Sequence, residues 1–293
     1  MEVERGRVLA VDKPAGPTSH DIVGAARRAL GTRRIGHTGT LDPFATGLLL
    51  LCIGPATRLV EYLVGHAKAY RAVVRLGAAT DTDDSTGTVV ATSQAWRELD
   101  EQDVRAALDA GTGSVQQVPP AYSAKRVAGR RMHELARAGA APTLPPQAVQ
   151  IHELRLLDLA LPELCLEVRC SAGTYVRAIG RDLGVALGCF AHLTSLRRER
   201  IARFDVRNAV PAHALGDASR LERASTTPLD AIAHLPRIGV EDAQAAAVAS
   251  GRAIGRPAGA PRTGAVALHS AGELLAIAEI DGGQIRPRKV FRA

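Results

Sequence analysis

Between residues 36 and 47 the chain reads Gly36-His37-Thr38-Gly39-Thr40-Leu41-Asp42-Pro43-Phe44-Ala45-Thr46-Gly47. Three glycines and three threonines in twelve positions let backbone approach a ligand closely and present amides and hydroxyls to it. Pro43 biases Asp42 away from helix and towards extended or turn geometry. A carboxylate held in that way can act as a nucleophile or as the electrostatic partner of a developing cation. The same letters also spell an Asp-Pro turn with incidental glycines, and residue types alone do not separate the two readings.

Other chemistries fail on spacing. Asp81, Asp83 and Asp84 suggest calcium, but an EF-hand loop needs a glutamate at its twelfth position, where Thr92 stands. His133-Glu134 opens an apparent H-E-x-x-H that ends in Arg137. Cys52, Cys165, Cys170 and Cys189 form no C-x-x-C pair, and reduced thiols are the expectation. No dinucleotide fingerprint or P-loop occurs either, and no metal-ligand spacing is present.

The elements that must position Asp42 follow from periodicity. Arg7–Val11 reads as a strand, and the turn 12–17 leads to a helix capped by Thr18 or Ser19. That helix runs to Leu30 with Ile22, Val23, Ala26 and Leu30 on one face, and Gly31 ends it. Residues 33–46 read as loop, Gly47–Ile53 as a buried strand and Ala56–Val64 as a helix. Lys68–Leu76 alternates as a strand, with Tyr70, Ala72, Val74 and Leu76 on one side. Helices are expected over Asp100–Ala110 and Gly129–Ala138, and strands near Gln147–Leu161 and Glu163–Cys170. In the latter, Cys165 faces away from Cys170, which argues against a bridge between them. A further helix carries Tyr175, Ile179, Leu183 and Leu187 along one ridge. No regular β-α-β alternation appears, so the fold class expected is α+β with a mixed, mostly antiparallel sheet. Residues 217–236 lack a strong pattern and hold a boundary. Beyond it, short strands at Gly264–Leu268, Leu274–Ile280 and Lys289–Phe291 suggest a small β-rich appendage. The division expected is 1–232 and 233–293.

With 293 residues the chain is long enough to bury a core without staples, and its longest apolar run, Leu48–Ile53, is far too short to span a membrane. The charged N-terminus has no secretory apolar region, so a soluble cytoplasmic protein is expected. Thirty-seven basic residues against 30 acidic ones give a net charge of +7. Only Lys13, Lys68, Lys125 and Lys289 are lysines, which leaves 33 arginines, the fork-shaped donors that suit phosphates and base edges. A field of this sign concentrates polyanions. A GC-rich genome gives the same composition, so the charge permits nucleic acid without proving it.

A longer pattern joins these pieces. The block 12–19 (Asp-Lys-Pro-Ala-Gly-Pro-Thr-Ser) and the loop 36–47 are followed in order by five more. These are Lys68-Ala69-Tyr70-Arg71, Thr80-Asp81-Thr82-Asp83-Asp84, Pro119-Pro120-Ala121-Tyr122-Ser123-Ala124, Gly173-Thr174-Tyr175-Val176-Arg177 and Leu196-Arg197-Arg198. Over residues 6–205 the set resembles the TruB family of tRNA pseudouridine synthases. The end, 278–283 and 287–290, resembles that family's PUA-type RNA-binding tail. The resemblance implies a pseudouridine synthase catalytic domain that isomerises uridine 55 of the tRNA T-arm, with the target base everted from its stack. It implies no cofactor, no guide RNA, no membrane and a monomer.

By position in the motifs, Asp42 corresponds to the catalytic aspartate and Arg177 to the arginine that pairs with it, favouring the charged carboxylate. Tyr70 matches the tyrosine that stacks on the target base and can take a proton. His37 matches the residue that braces the vacated place, while Tyr175 and Leu196 match residues lining the pocket. Lys13 is expected to support the loop or a phosphate, and Asp84 to fix a loop or contact RNA. Lys125 and Arg126 depart from the family pattern of an apolar residue followed by Lys. Two competing readings remain: a guide-RNA-dependent relative, and an RNA-binding or tRNA-folding factor without catalysis.

Overall fold

The computed structural model of the protein describes residues 6–123, 126–127, 130–132, 142 and 144–291. Lys125 and most of the helix expected over 129–138 lie outside them. The N-terminal body holds β1 (Arg7–Lys13), α1 (Ser19–Leu30), β2 (Ile35–His37), β3 (Thr46–Ile53), a 3-10 turn (Gly54–Leu59) and α2 (Val60–Val64). There follow β4 (Lys68–Leu76), β5 (Ala78–Thr80), β6 (Val89–Thr92), α3 (Glu101–Ala110), β7 (Gly113–Gln117) and the short pair β8 (Arg126–Val127) and β9 (Arg130–Arg131). Next come β10 (Gln147–Ala160), β11 (Glu163–Cys170), α4 (Val176–Ala186), β12 (Ala191–Ile201), β13 (Phe204–Asp205) and β14 (Val210–Pro211).

Among the described residues these strands make an 11-stranded sheet with the central order β14-β1-β3-β12-β4-β11-β10-β7. Only the β1–β14 and β3–β12 contacts are parallel, so the sheet is mixed and mostly antiparallel, as its composition predicts. The β3–β12 seam is short, pairing Arg197 with Thr46 and Arg198 with Gly47. Asp12 and Arg197 form a bidentate ion pair across it at 2.8 and 3.1 Å.

Burial explains the sequence patterns. Leu9, Val11, Leu49, Leu51 and Ile53 face α1, where Ile22, Val23 and Ala26 are buried against them. Val8, Ala10, Leu48, Leu50 and Cys52 point the other way into a second core. A strand buried on both faces reads as a continuous apolar run, which is why β3 shows no alternation. Helix α1 starts at Thr18 in a capping box with Asp21 and stops at Gly31, whose backbone is left-handed. On the other half of the sheet, Tyr70, Ala72, Val74 and Leu76 join Leu164, Leu166 and Val168 under α3 and α4. All four cysteines are free.

The structure goes beyond the sequence reading in three places. The loop expected at 33–46 contains β2, which pairs with β3. Strand β12 carries no period-two signature, because bulges between Leu193 and Ser195 and between Arg198 and Arg200 break its alternation. The segment 217–236 is not patternless: it folds as α5 (Ala218–Arg223), β15 (Ser225–Thr226) and α6 (Pro228–Ala231). Asp217 and Thr227 cap the two helices, and Leu229, Ala231 and Ile232 are buried.

The C-terminal part holds β16 (Arg237–Gly239), α7 (Asp242–Ala249), β17 (Ile254–Gly255), β18 (Gly264–Ser270), β19 (Glu273–Asp281) and β20 (Gln284–Val290). These strands form a second sheet in the order β16-β18-β19-β20-β17. One side makes its own core with Val248 of α7. The other presents Ala267, Leu274, Ile277 and, just past β20, Phe291 to Val8, Leu59, Leu63 and Ile201 of the large body. Arg58 lies over the Phe291 ring at 5.5 Å, and Lys289 lies over the Tyr62 ring at 5.4 Å. No helix of the described residues is long and apolar enough to cross a membrane.

Gly47 deserves a substitution test of its own. Its φ is +103°, and a Cβ there would lie 2.2 Å from the Arg198 carbonyl oxygen. That neighbour is backbone in the seam and cannot swing aside. Gly47→Ala is therefore expected to destabilise the protein by about 3 kcal/mol, read as a lowered urea midpoint at unchanged slope.

Candidate active site

Asp42 lies on the loop between β2 and β3, directly before the β3–β12 seam. Three buried polar side chains hold this loop through its backbone. Ser19, at the start of α1, accepts the Leu41 N–H at 2.8 Å and donates to the Leu41 carbonyl at 3.2 Å. Lys13, at the end of β1, is fully buried and donates from Nζ to the carbonyls of Pro17 (2.7 Å), Pro14 (2.9 Å) and Pro43 (3.2 Å). Arg198 of β12 donates to the carbonyls of Leu48 (2.7 Å), Gly39 (3.1 Å) and Thr40 (3.3 Å). Within the loop, Ala45 N–H returns to the Asp42 carbonyl at 3.1 Å and closes a turn.

The carboxylate meets Arg177 from the first turn of α4. Arg177 Nε donates to Asp42 Oδ2 at 2.9 Å and Nη2 donates to Oδ1 at 3.2 Å. The remaining donors reach the carbonyls of Thr82 and Tyr122, each at 2.8 Å, and Asp84 lies 3.6 Å from Nη1. The guanidinium is 3% exposed whereas the Asp42 side chain is 34% exposed. A buried, fully coordinated cation thus presents one carboxylate outwards, and such a bidentate pair fixes its direction as well as its charge.

Tyr70 and Leu196 belong to the same buried cluster as Leu41, the residue preceding Asp42. Burial pushes the Tyr70 phenol up, opposed by the positive charge of Arg198, its partner across β4 and β12. Tyr175, half-buried beside Arg177, is held by its backbone: Gln117 Oε1 accepts its N–H at 2.8 Å and Gln117 Nε2 donates to its carbonyl at 3.1 Å. The Tyr175 phenol pairs with Ser123 and is pushed up by burial. His37 is half-buried at the end of β2, and its Nδ1 accepts the Gly39 N–H at 3.3 Å, which leaves the proton on Nε2. Burial and the Arg198 charge hold its pKa below the ordinary value, so the ring is neutral at pH 7.

Asp42, Arg177, Tyr70, Leu196 and Tyr175 are therefore brought near one another, and His37 stands at the start of the Asp42 loop. For Lys13 and Asp84, each expected either to support a loop or to contact RNA, the geometry is that of loop support. Lys13 lies beneath the loop with its ammonium taken by three carbonyls; burial draws its pKa down to about 8, and no face is left for a phosphate. Asp84 is 5% exposed and accepts from the Thr82 and Thr86 hydroxyls at 2.8 and 2.6 Å and the Thr86 N–H at 2.9 Å. It fixes the loop 82–86 behind Arg177 and does not face RNA. Among residues that sequence reasoning did not assign, Ser19 and Arg198 stand inside quoted motif blocks, whereas Gln117 carries no local signal.

Three family models match the chain in succession. They are the TruB family pseudouridylate synthase N-terminal domain over residues 27–176, the tRNA pseudouridylate synthase B C-terminal domain over 177–234, and the pseudouridine synthase II TruB C-terminal segment over 236–291. Asp42 falls in the first and Arg177 opens the second. The tRNA pseudouridine synthase B of Aromatoleum aromaticum is 43% identical over 286 residues, covering 97% of this chain and 92% of that one. Its counterpart in Mycobacterium avium is 48% identical over 218 residues, 73% and 70% of the two chains. Among solved structures, a chain of a Cbf5-Nop10-Gar1 complex aligns with TM-score 0.76 at 26% identity, over 99% of this chain and 86% of that chain. An H/ACA RNP bound to a substrate RNA gives the same TM-score at 24% identity, which speaks to fold.

Proposed function

The chain belongs to the TruB family of pseudouridylate synthases, and from that premise we propose that it converts uridine 55 of the tRNA T-arm to pseudouridine. The observation that carries the proposal is the bidentate Asp42–Arg177 pair, buried on the arginine side and open on the aspartate side. The isomerisation is balanced within the substrate and water. The N1–C1′ bond breaks, the uracil turns, a C5–C1′ bond forms, the C5 proton leaves and N1 takes up a proton.

A carboxylate beside the ribose serves this chemistry through its charge and lone pairs. Arg177 holds that carboxylate aimed through two hydrogen bonds. A uracil stacked in an RNA arm is out of reach, so the target nucleotide turns out towards Asp42. Tyr70 stacks on the everted base, Leu196 and Tyr175 bound its pocket, and neutral His37 braces the stack that the base has left. Arginine contacts to phosphates supply most of the affinity, and the arm is read by its shape. Residues 1–232 form the catalytic domain, and residues 233–293 form a PUA-like tail that adds RNA contact. The protein works as a monomer in the cytoplasm, without guide RNA or cofactor. The curated relatives above 40% identity support the free-standing reading over the guide-dependent complexes, which align at 24 and 26%.

The test is release of tritium from unmodified tRNA labelled at uridine C5, with no guide RNA present. One equivalent released per tRNA, lost when uridine 55 alone is replaced by cytidine, is the expected result. Tight tRNA binding without release would instead favour a tRNA-folding factor, and release only after a guide is added would favour the guide-dependent reading.

A further inference from the structure

Helix α4 carries Arg177 in its first turn and is opened by Tyr175, which is extended at φ −96° and ψ 110°. The first N–H groups of a helix have no partner within it and need one from elsewhere. A capping box would return a side chain from the third helical position, which here is Ala178 and has no polar group to offer. The partner comes from the sheet instead. Gln117, the last residue of β7, is 2% exposed, and its amide meets the peptide of Tyr175 twice. Oε1 accepts the Tyr175 N–H at 2.8 Å, and Nε2 donates to the Tyr175 carbonyl at 3.1 Å. That same oxygen takes the Ile179 N–H at 3.2 Å and so starts the helix. A buried amide bonded at both ends is oriented as well as satisfied.

We propose that Gln117 is a positioning residue of the reaction: its amide fixes the backbone of Tyr175, and with it the place of the Tyr175 ring at the pocket wall and of Arg177 opposite Asp42. This rests on the function proposed above and adds to its site a residue that acts through Tyr175. The lever is short. Tyr175 and Arg177 are two positions apart, and the Arg177 fork meets Asp42 at 2.9 and 3.2 Å, distances that a small shift of the helix start would open. The chain that follows Gln117 meets α4 at two further points: the Val118 carbonyl takes Arg181 Nη2 at 2.9 Å, and the Tyr122 carbonyl takes Arg177 Nη2 at 2.8 Å. Both of those acceptors are backbone, whereas the hold on Tyr175 is made by a side chain and yields to substitution.

Two substitutions separate the clamp from mere bulk. Gln117→Met keeps the volume and removes both bonds. Gln117→Glu makes the clamp depend on a proton. A protonated carboxyl accepts the Tyr175 N–H and donates its O–H to the Tyr175 carbonyl, as the amide does; a carboxylate has no donor and sets its oxygen against that carbonyl. Burial raises such a carboxyl above the ordinary glutamate value of about 4.3. The charged groups on the facing helix are Arg177 and Arg181, which already hold Asp42, Asp83, Asp84 and Asp182, and β10 sets the neutral Gln147 opposite. In Gln117→Glu the clamp therefore forms as pH falls through the raised pKa and is lost as pH rises through it.

The test is single-turnover pseudouridine formation by the full-length protein, at a temperature where circular dichroism shows every variant folded; a merely structural glutamine would leave that rate unmoved. Gln117→Met is expected to fall by about 10²-fold, the size of effect that a misplacement near 1 Å produces. Affinity for tRNA should stay within about threefold, since phosphate contacts carry most of it. Gln117→Glu should be as slow near about pH 8 and gain about tenfold relative to wild type by about pH 6, while the Met variant keeps a constant ratio. The Tyr175 amide, resolved by 15N-tyrosine labelling and assigned with Tyr175→Phe, should exchange with solvent at least about tenfold faster in Gln117→Met. A folded Gln117→Met with the wild-type rate or unchanged Tyr175 exchange overturns the inference, and so does a rate loss matched by equal loss of tRNA binding. If the Met variant does not fold, the Glu variant decides: a ratio to wild type that does not rise as pH falls overturns it. The exchange measurement needs no substrate. A wild-type protein that forms no pseudouridine would defeat the proposed function, whereas an active wild type beside a fully active Gln117→Met would defeat only this inference.

Discussion

Asp42→Asn is expected to abolish tritium release, by at least about 10⁴-fold in the single-turnover rate, because the group at the reacting sugar loses both its charge and its nucleophilic lone pair. The substitution is nearly isosteric, and Arg177 keeps the Thr82 and Tyr122 carbonyls and the Asp84 carboxylate as partners. The folded state should therefore survive, and tRNA binding should persist, since phosphate contacts carry most of the affinity. Asp42→Glu separates charge from placement. It retains the carboxylate but extends it by one methylene against a guanidinium that cannot retreat, and a loss of about 10²-fold is expected from geometry alone. Equal release by wild type and Asp42→Asn would remove this carboxylate from the chemistry.

Arg177→Met should be the more damaging change to the whole molecule. It deletes a buried cation that serves two carboxylates and two carbonyls at once. Asp84, itself buried, is left as an unpaired anion, and breaking a buried pair from one side costs about 3–5 kcal/mol. The 82–86 loop, the Tyr122 segment and the Asp42 loop are all tied to this side chain, so activity should fall together with stability. A lowered unfolding midpoint with release reduced by about 10³-fold is the expected pairing. Arg177→Lys distinguishes charge from fork: it should recover part of the stability and little of the rate. A stable, active Arg177→Met would show that Asp42 needs no counter-ion.

Much of the site was legible because its parts sit in dense local blocks. Asp42, Tyr70, Arg177, His37, Tyr175 and Leu196 each fell in a motif, and the pairing of Asp42 with Arg177 is present in the structure. The alternation of β4 and β11 was readable because one face is buried and period two follows from that. What stayed open has physical causes. Lys13 and Asp84 could by type support a loop or face a ligand, and their charges are absorbed by backbone carbonyls and by neighbouring hydroxyls and Arg177. Nothing in a sequence reveals that a turn lysine has three carbonyls waiting above it. Strand β12 hid behind its two bulges. Gln117 hid completely, since an amide that brackets the backbone of Tyr175 lies 58 positions from it and shares no pattern with it. Long-range polar contacts of this kind arise from the fold and leave no trace in neighbouring letters.

The apolar seam between the two sheets bears on how the molecule comes apart. Leu274, Ile277 and Phe291 share one hydrophobic cluster with Val8, Leu50 and Leu63. Strand β1 of the large body and the segment just past β20 are thus joined through one apolar cluster, so each sheet is stabilised by the other. Cutting the chain near residue 235 would bare this surface on both fragments. The halves should then melt as one cooperative unit when intact, and precipitate when separated.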